Sequence, residues 1–293
     1  MRADADSLPT RPVGIWSLEK LAIVMLYMRA FTTACKSAGG GFYVDGFAGP
    51  GLCSVRRAQQ EPRFVWGSPL LALHTSPRFE RCIFVESDAE LAHTLAARAG
   101  AFRSRANVRQ GDANVELPNI MRDSVPSRAP CFCLLDPEGT ELEWKTLVAI
   151  AGTPDRRRKA EMLVLFPSSS HLRLLPLRRA PDAANVERLD RFFPDDSWRS
   201  TYDRRCRRLI TPDQAVIEYA KLYARGLRRD LAYKHVEPHP IKAPRSDQPG
   251  SRRRELYRLI FATDHDAGHD VMSDVFKRGY ALDYPVTSMR PLL

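Results

Sequence analysis

Four acidic residues each follow an apolar stretch of the sequence, at the spacing expected of groups at strand ends. They are Asp45, Glu86, Asp112 and Asp136. The carboxyl ends of parallel strands meet along one edge of a sheet, which is where open α/β folds bind ligands. Carboxylates along that edge can accept hydrogen bonds from the hydroxyls and amines of a ligand. One such acid often only caps the following helix, so the prediction depends on four in succession.

Asp45 also opens a glycine-rich turn. The segment 42–44 is typical of a buried strand, and the chain then continues as Asp45-Gly46-Phe47-Ala48-Gly49-Pro50-Gly51. Glycine lets the backbone turn tightly and approach a ligand closely, because it has no Cβ. The spacing G-x-x-G-x-G differs from the dinucleotide motif G-x-G-x-x-G, and no phosphate-binding lysine follows. A nucleotide-dependent oxidoreductase is therefore disfavoured, while an ordinary strand-to-loop turn stays an alternative.

The positions of the acids predict an adenosine-containing ligand. An acid after the second strand can accept hydrogen bonds from both ribose hydroxyls, which suits Glu86. An acid after the third strand can lie near the adenine amine, which suits Asp112. The glycine turn would then face the amino-acid or phosphate end of the ligand.

The elements that would position these acids follow an α/β order. Apolar segments predict parallel strands at 41–45, 81–86, 107–110, 131–136 and 162–166. Alternating segments at 231–241 and 254–262 predict an antiparallel pair that closes the sheet. Helices are predicted at 16–38, from 68, at 87–99 and at 141–151, with Ser17 and Ser68 as N-caps. The stretch 52–66 is predicted to be a loop, and 274–282 receives no assignment.

The basic charge is concentrated in the second half of the chain. The formal net charge is +10, with +1 in residues 1–150 and +9 in residues 151–293. The stretch 168–229 lacks strand patterns and includes four clustered arginines, namely Arg204, Arg205, Arg207 and Arg208. A basic helical segment predicts a polyanionic partner such as nucleic acid. An arginine-rich solvated face is the alternative.

The cysteines and the N-terminus give further expectations. The six cysteines form no C-x-x-C pair and no metal-ligand spacing, which predicts reduced, structural thiols and no metal site. Residues 1–12 lack the apolar core of a signal peptide. No window of about eighteen apolar residues suggests a membrane span. The protein is therefore expected to be cytoplasmic and not to contact a membrane.

Five motifs taken together resemble the three-Cys-motif partner (TcmP) family, over about 16–276. They are the turn 45–51, Gly67-Ser68-Pro69-Leu70, Gly111-Asp112-Ala113-Asn114, the stretch 135–139 with Trp144, and the stretch 260–265. The resemblance implies the α/β, Rossmann-like fold of class I S-adenosylmethionine (SAM)-dependent methyltransferases, with a mostly parallel sheet and an antiparallel closing strand. The cysteines of the family name belong to a radical-SAM-like partner protein, so such a partner is implied too.

The resemblance also assigns residues to roles and divides the chain. The cofactor SAM would be bound by Asp45, Gly46, Phe47, Ala48, Gly49, Gly51, Glu86, Asp112 and Ala113. Residues 1–167 would form the cofactor-binding core with its N-terminal helix, 168–230 a helical basic insertion, and 231–293 the strands that complete the sheet.

Asp136 and Pro137 are the candidate catalytic residues. They lie where amino-methyltransferases of nucleic acids carry an acid followed by Pro-Pro-aromatic, whose aromatic ring stacks on the target base. This chain departs from that pattern at Glu138 and Gly139. Trp144 could replace the missing ring, although a core position is the alternative.

The predicted function is methylation of an amine on RNA or DNA, together with a partner protein. A non-catalytic nucleic-acid-binding or partner protein with the same fold is the alternative. Three further side chains are weaker candidates. Lys20 and Tyr27 could close over the methionine end of the cofactor, and His265 could act as a base or contact a phosphate, while surface, core and loop positions are their respective alternatives.

Overall fold

A seven-stranded sheet forms the centre of the protein. The computed structural model describes residues 6–55, 63–152, 158–168, 173–177, 180–243 and 255–278. The strands are β1 Arg11–Val13, β2 Phe42–Asp45, β3 Leu52–Val55, β4 Arg63–Trp66, β5 Arg81–Glu86, β6 Ala106–Gln110, β7 Cys131–Leu135, β8 Glu161–Phe166, β9 His235–Lys242 and β10 Glu255–Thr263. The central sheet has the order β6-β5-β2-β7-β8-β10-β9. Neighbouring strands from β6 to β8 are parallel, and β10 is antiparallel to both β8 and β9. The predicted Rossmann-like fold class, including its antiparallel closing strand, is confirmed.

Helices cover both faces of this sheet. They are α1 Ser17–Ala34, α2 Ser68–Leu73, α3 Ala89–Arg98, α4 Ala113–Asp123, α5 Trp144–Ala151, α6 Ala183–Phe192, α7 Trp198–Cys206, α8 Pro212–Arg229 and α9 Asp266–Arg278. Side chains alternate between the faces along each strand. On β7, Cys131, Cys133 and Leu135 face one cluster, while Phe132 and Leu134 face the other. Burial on both faces explains why the central strands are continuous apolar runs.

The arginine-rich helical segment packs on one face of the sheet. Helices α6 to α8 contribute buried residues to the same apolar cluster as α4 and α5. Trp144 is part of this core, where its ring meets Tyr223 edge to face at 5.2 Å. The helices of this segment therefore share a core with the sheet. The boundaries at 167 and 230 stay a prediction.

Several local predictions were wrong. The stretch 52–66, predicted to be a loop, contains β3 and β4, which pair antiparallel, while β1 runs parallel to β3. These short strands form because Leu52, Val55, Val65 and Trp66 are buried against the core. Helix α4 was not predicted. The unassigned stretch 274–282 overlaps the end of α9, which buries Met272, Val275 and Phe276, and its residues beyond 278 lie outside the described part.

The predicted caps of α1 and α2 were also wrong by one position. Trp16 and Gly67 are the N-cap residues, and neither makes a side-chain cap hydrogen bond. Ser17 and Ser68 are instead the first residues of their helices. No helix among the described residues is both long enough and apolar enough to cross a bilayer.

Candidate active site

The turn after β2 is built on the buried carboxylate of Asp45. Asp45 is fully buried, and its Oδ1 accepts a hydrogen bond of 3.2 Å from the amide of Phe47. The hydroxyl of Tyr43 donates to Oδ2 at 3.0 Å. Burial raises the pKa of the Asp45 carboxyl to about 6, although a hydrogen bond with the Ser68 side chain and those with Phe47 and Tyr43 oppose the shift. Asp45 therefore stabilises the conformation of the turn.

Backbone amides of the turn are tied to the neighbouring strands. Gly46 N donates to Leu134 O on β7 at 3.0 Å, and Ala48 N donates to Val85 O on β5 at 2.9 Å. Gly49 N donates to the Oε2 atom of Glu86 at 2.8 Å. Gly49 has a φ of +63°, a left-handed conformation that glycine adopts without strain. The turn thus fixes the Glu86 carboxylate, whose Oε1 also accepts from Asp88 N at 2.9 Å.

The larger cavity lies at the carboxyl edge of the sheet and measures about 770 Å³. Five residues that were predicted to bind the cofactor line it, namely Gly46, Phe47, Glu86, Asp112 and Ala113. Asp112 is exposed and is the N-cap of α4, where its Oδ1 accepts from Asn114 N at 2.8 Å. Its second oxygen stays available to a ligand. The amide of Ala113 opens α4, where helical amides have no intrahelical acceptor.

A smaller cavity of about 330 Å³ adjoins the first. Asp136 and Pro137 line it together with Ala48 and Gly51, while Phe47 and Glu138 line both cavities. The Nζ atom of Lys20, on α1, donates to Asp136 Oδ2. This ion pair is partly buried and leaves Asp136 Oδ1 without a partner among the described residues. A ligand in the larger cavity could therefore present a group to Asp136 past Phe47.

The loop after β7 is held by three residues that the sequence did not identify as part of the site. Asn114 donates from Nδ2 to the carbonyl of Glu141 at 2.8 Å and accepts from Glu143 N at 2.9 Å. Glu141 accepts from the amides of Glu138 at 3.0 Å and Gly139 at 2.6 Å. Arg11 on β1 reaches the same loop through Glu138, at 2.5 Å. Asn114 belongs to the motif at 111–114, but the sequence does not indicate that it contacts Glu141 and Glu143.

The structure brings most of the predicted site residues to one edge of the sheet. Asp45 and Gly49 line neither cavity and instead support the turn. Among the weaker candidates, Lys20 lies beside Asp136. Tyr27 and His265 line a separate cavity with Glu161, the first residue of β8, at the opposite edge. They are therefore remote from Asp136.

The clustered arginines of the helical segment bond mostly within the chain. Arg204 forms a bidentate contact with Glu218, at 2.8 Å to each oxygen. Arg205 is buried and donates to a backbone carbonyl at 3.0 Å. Arg207 pairs with Asp203 at 3.0 Å. These three guanidinium groups are consequently less available to a polyanion than the sequence alone suggests.

Other arginines of the segment line the larger cavity. Arg188 and Arg191 are one turn apart on α6, and Arg173 lines the cavity as well. Arg191 pairs with Glu187 at 2.5 Å and with Glu143 at 3.3 Å. Arg188 is exposed, and no ion pair joins it to any described residue. The cavity is therefore lined by acids near the strand ends and by arginines that include two on α6.

Comparisons with known proteins give similarity only at the level of solved structures. No family model and no curated protein matches the chain. A Legionella pneumophila protein of the family model DUF519 has 12% identity and a TM-score of 0.47, with 88% of this chain and 91% of that chain covered. An O-methyltransferase from Bacillus cereus, solved with S-adenosylhomocysteine (SAH), has 12% identity, a TM-score of 0.45 and coverages of 88% and 86%. The methyltransferase domain of the bacterial protein CtHen1 has 13% identity, a TM-score of 0.39 and coverages of 82% and 99%. At these identities a shared function does not follow.

Proposed function

We propose that this chain is a SAM-dependent methyltransferase that methylates an amine on nucleic acid, RNA or DNA. The observation that carries the proposal is the meeting of two cavities at Phe47 and Glu138, one beside Glu86 and Asp112 and the other beside Asp136. One region would hold an adenosine-containing ligand, and the adjoining region would hold the group that receives the methyl.

The residues present fit the chemical groups of SAM. A cavity of about 770 Å³ is within the usual range of small-molecule sites. Glu86, Asp112, Glu138 and Glu141 line it near the strand ends, where carboxylates suit the hydroxyls, the amine and the sulfonium cation of SAM. Glu86 would accept hydrogen bonds from the ribose hydroxyls, and Asp112 with the Ala113 amide would contact adenine.

Asp136 would orient the acceptor amine. When bound, SAM supplies an electrophilic methyl group on its sulfonium, so the protein contributes mainly orientation and electrostatics. Asp136 Oδ1 can accept a hydrogen bond from the amine and so aim the nitrogen lone pair away from the carboxylate. As the nitrogen becomes positively charged, the negative charge of Asp136 stabilises it. Lys20 on Oδ2 would hold the carboxylate in place.

The arginines beside the larger cavity support a nucleic-acid acceptor. Arg188 and Arg191, both on α6, line this cavity together with the acids. Arg191 is already paired with Glu143 and Glu187, whereas the exposed Arg188 has no ion pair with any described residue and could contact the phosphates of an acceptor strand. A paired base would have to leave the helix to reach Asp136.

A second candidate function is a binding protein that retains the fold without catalysis. The specific observation in its favour is the Lys20–Asp136 ion pair, because it already occupies one oxygen of the proposed catalytic carboxylate. Membership of the TcmP family and a radical-SAM-like partner also belong to the proposal, and their support is the sequence resemblance. Co-purification of the chain with such a partner would test them.

Calorimetric titration with SAM and SAH tests the proposal. We expect micromolar binding by the unmodified protein and binding at least tenfold weaker in Glu86→Gln, because one charged acceptor is lost. Glu80→Gln is the matched control, since Glu80 is exposed just before the same strand, at its opposite end. Absence of binding by either molecule, or equal binding by Glu86→Gln, would refute the cofactor assignment.

A further inference from the structure

Two aromatic residues line the smaller cavity beside Asp136 and have no part in the mechanism above. They are Trp16, at the N-terminus of α1, and Tyr257, on β10. They come from opposite ends of the chain, so no local motif joins them. Their positions raise the question of what kind of acceptor this cavity takes.

Trp16 is the exposed tryptophan of the chain. Its side chain is 38% exposed, whereas Trp66, Trp144 and Trp198 are buried. The indole lies tightly against Gly14, where a Cβ atom would come within 2.2 Å of the ring. An apolar ring held against the backbone at the edge of a cavity is a preformed surface for stacking, because its conformational freedom is already restricted.

Tyr257 carries a buried hydroxyl that lacks a partner. The residue is 9% exposed, and its hydroxyl makes no hydrogen bond with any residue in the described ranges. A buried polar group without a partner is costly unless a ligand satisfies it. Burial and the nearby charge of Asp136 raise the pKa of Tyr257 well above its ordinary value, so the phenol keeps its proton. It is therefore a hydrogen-bond donor.

Lys20 links this phenol to Asp136. Its Nζ atom lies 5.9 Å from the centroid of the Tyr257 ring and donates to Asp136. Tyr257 and Asp136 both line the smaller cavity, so one wall region contains a buried donor and an acceptor. A flat heterocycle with an exocyclic amine next to a ring nitrogen acceptor offers the complementary pair.

We propose that Trp16 and Tyr257 form the acceptor-base site of this protein. The base stacks on Trp16, Asp136 accepts from its exocyclic amine, and Tyr257 donates to the adjacent ring nitrogen. On the Watson–Crick edge adenine and cytosine offer this pattern, whereas guanine presents a second donor there. Trp16 then supplies the aromatic ring that Gly139 does not. The inference rests on the proposed function and names the class of base.

The test measures binding of a labelled eight-nucleotide single-stranded RNA, and of DNA with the same sequence, to protein saturated with SAH. One adenine stands among uracils or thymines, and it is replaced in parallel probes by 1-deazaadenine, which keeps the amine but lacks the ring nitrogen, or by an abasic site. Fluorescence anisotropy gives the dissociation constants. Unmodified protein should bind adenine about tenfold more tightly than 1-deazaadenine and about tenfold more tightly than the abasic probe.

Each variant should remove one preference. Tyr257→Phe should reduce the preference for adenine over 1-deazaadenine to less than about twofold. Trp16→Ala should remove the preference for adenine over the abasic probe, and Trp16→Phe should restore part of it. Tyr223→Phe is the matched control, because its buried hydroxyl also lacks a partner among the described residues but its ring packs in the core against Trp144. It should behave like the unmodified protein.

The outcomes separate this inference from the proposed function. If Tyr257→Phe keeps the preference of the unmodified protein, or if the unmodified protein has no preference or binds no probe, the acceptor-base site is refuted. Calorimetric SAH binding by the same preparations then shows whether the cofactor proposal survives. If the unmodified protein does not bind SAH, the proposed function itself is refuted.

Discussion

Replacing Asp45 with asparagine should stabilise the protein at neutral pH. Asp45 is fully buried, and burial raises the pKa of its carboxyl from 3.8 to about 6. A carboxyl whose pKa is raised by folding stabilises the protein while protonated, and this contribution is lost as the pH rises through the folded-state value. The loss amounts to about 3 kcal/mol between pH 4 and pH 7. An asparagine side chain at this position cannot ionise and avoids the loss.

The magnitude depends on the hydrogen bonds of the turn. The asparagine carbonyl can still accept from Phe47 N, and the hydroxyls of Tyr43 and Ser68 can each act as donor or acceptor toward the new amide. We therefore expect Asp45→Asn to equal the unmodified protein near pH 4 and to exceed it by about 2 to 3 kcal/mol at pH 7.5. Because Asp45 lines neither cavity, SAH binding should fall much less than in Glu86→Gln.

Urea unfolding at several pH values between 4 and 7.5 measures this difference. Asp195→Asn is the control of opposite sign, since its serine and arginine neighbours lower the pKa of Asp195 to about 2. That contribution is fully present above pH 4, so Asp195→Asn should be less stable by a constant amount across the range. If Asp45→Asn is less stable than the unmodified protein at pH 7.5, with no dependence on pH, the cost assigned to the buried charge is wrong.

Three further changes test the site and the core. Asp136→Asn should lower methyl transfer by more than about a hundredfold and alter calorimetric SAH binding by less than about threefold; a joint loss of both would place Asp136 in cofactor binding. Arg188→Gln should lower the slope of log affinity against log salt for a single-stranded oligonucleotide by about 0.7, whereas Arg207→Gln, whose guanidinium is already paired, should leave it unchanged; equal effects would argue against a phosphate contact by Arg188. Gly226→Ala should reduce the free energy of unfolding by about 1 to 2 kcal/mol through overpacking, because the new Cβ would lie 2.7 Å from an indole ring. Gly152→Ala is the control and should leave the free energy of unfolding unchanged, because no atom lies within 4 Å of its Cβ position.

The central sheet could be predicted because its strands are buried on both faces. The strand at 81–86 was predicted with the bounds of β5, and β7 and β8 differ from prediction by one residue. The missed elements lack such runs. Helix α4 contains Pro118, which disfavours a helix interior, and its helical form becomes evident only from the burial of Leu117 and Ile120 in the core. Tertiary contacts decide such segments.

The acids of the site were predictable because topology alone places strand ends together. Their partners were not. Lys20 contacts Asp136, and Arg11 contacts Glu138, across more than a hundred residues of sequence. A single sequence does not indicate which of its distant residues will contact each other. The opposite error affects the clustered arginines, because a run of positive charge in a sequence does not show the acids that neutralise it in space.

Gly139 stands where the acid-Pro-Pro-aromatic motif has its aromatic residue, but the missing ring does not by itself exclude stacking on a base. Stacking requires a ring face at the cavity and not a particular position in the chain. Trp16 lies far from Asp136 in the sequence but lines the same cavity. The loss of the motif aromatic would therefore favour a non-catalytic protein only if no other ring reached Asp136. The Lys20–Asp136 ion pair is the stronger argument for that alternative, since an amine must share the carboxylate with Lys20. An acceptor amine bound through Asp136 Oδ1 does not require the Lys20–Asp136 ion pair to separate. Methyl transfer by the unmodified protein, and its loss in Asp136→Asn, would therefore favour the catalytic function over the non-catalytic one.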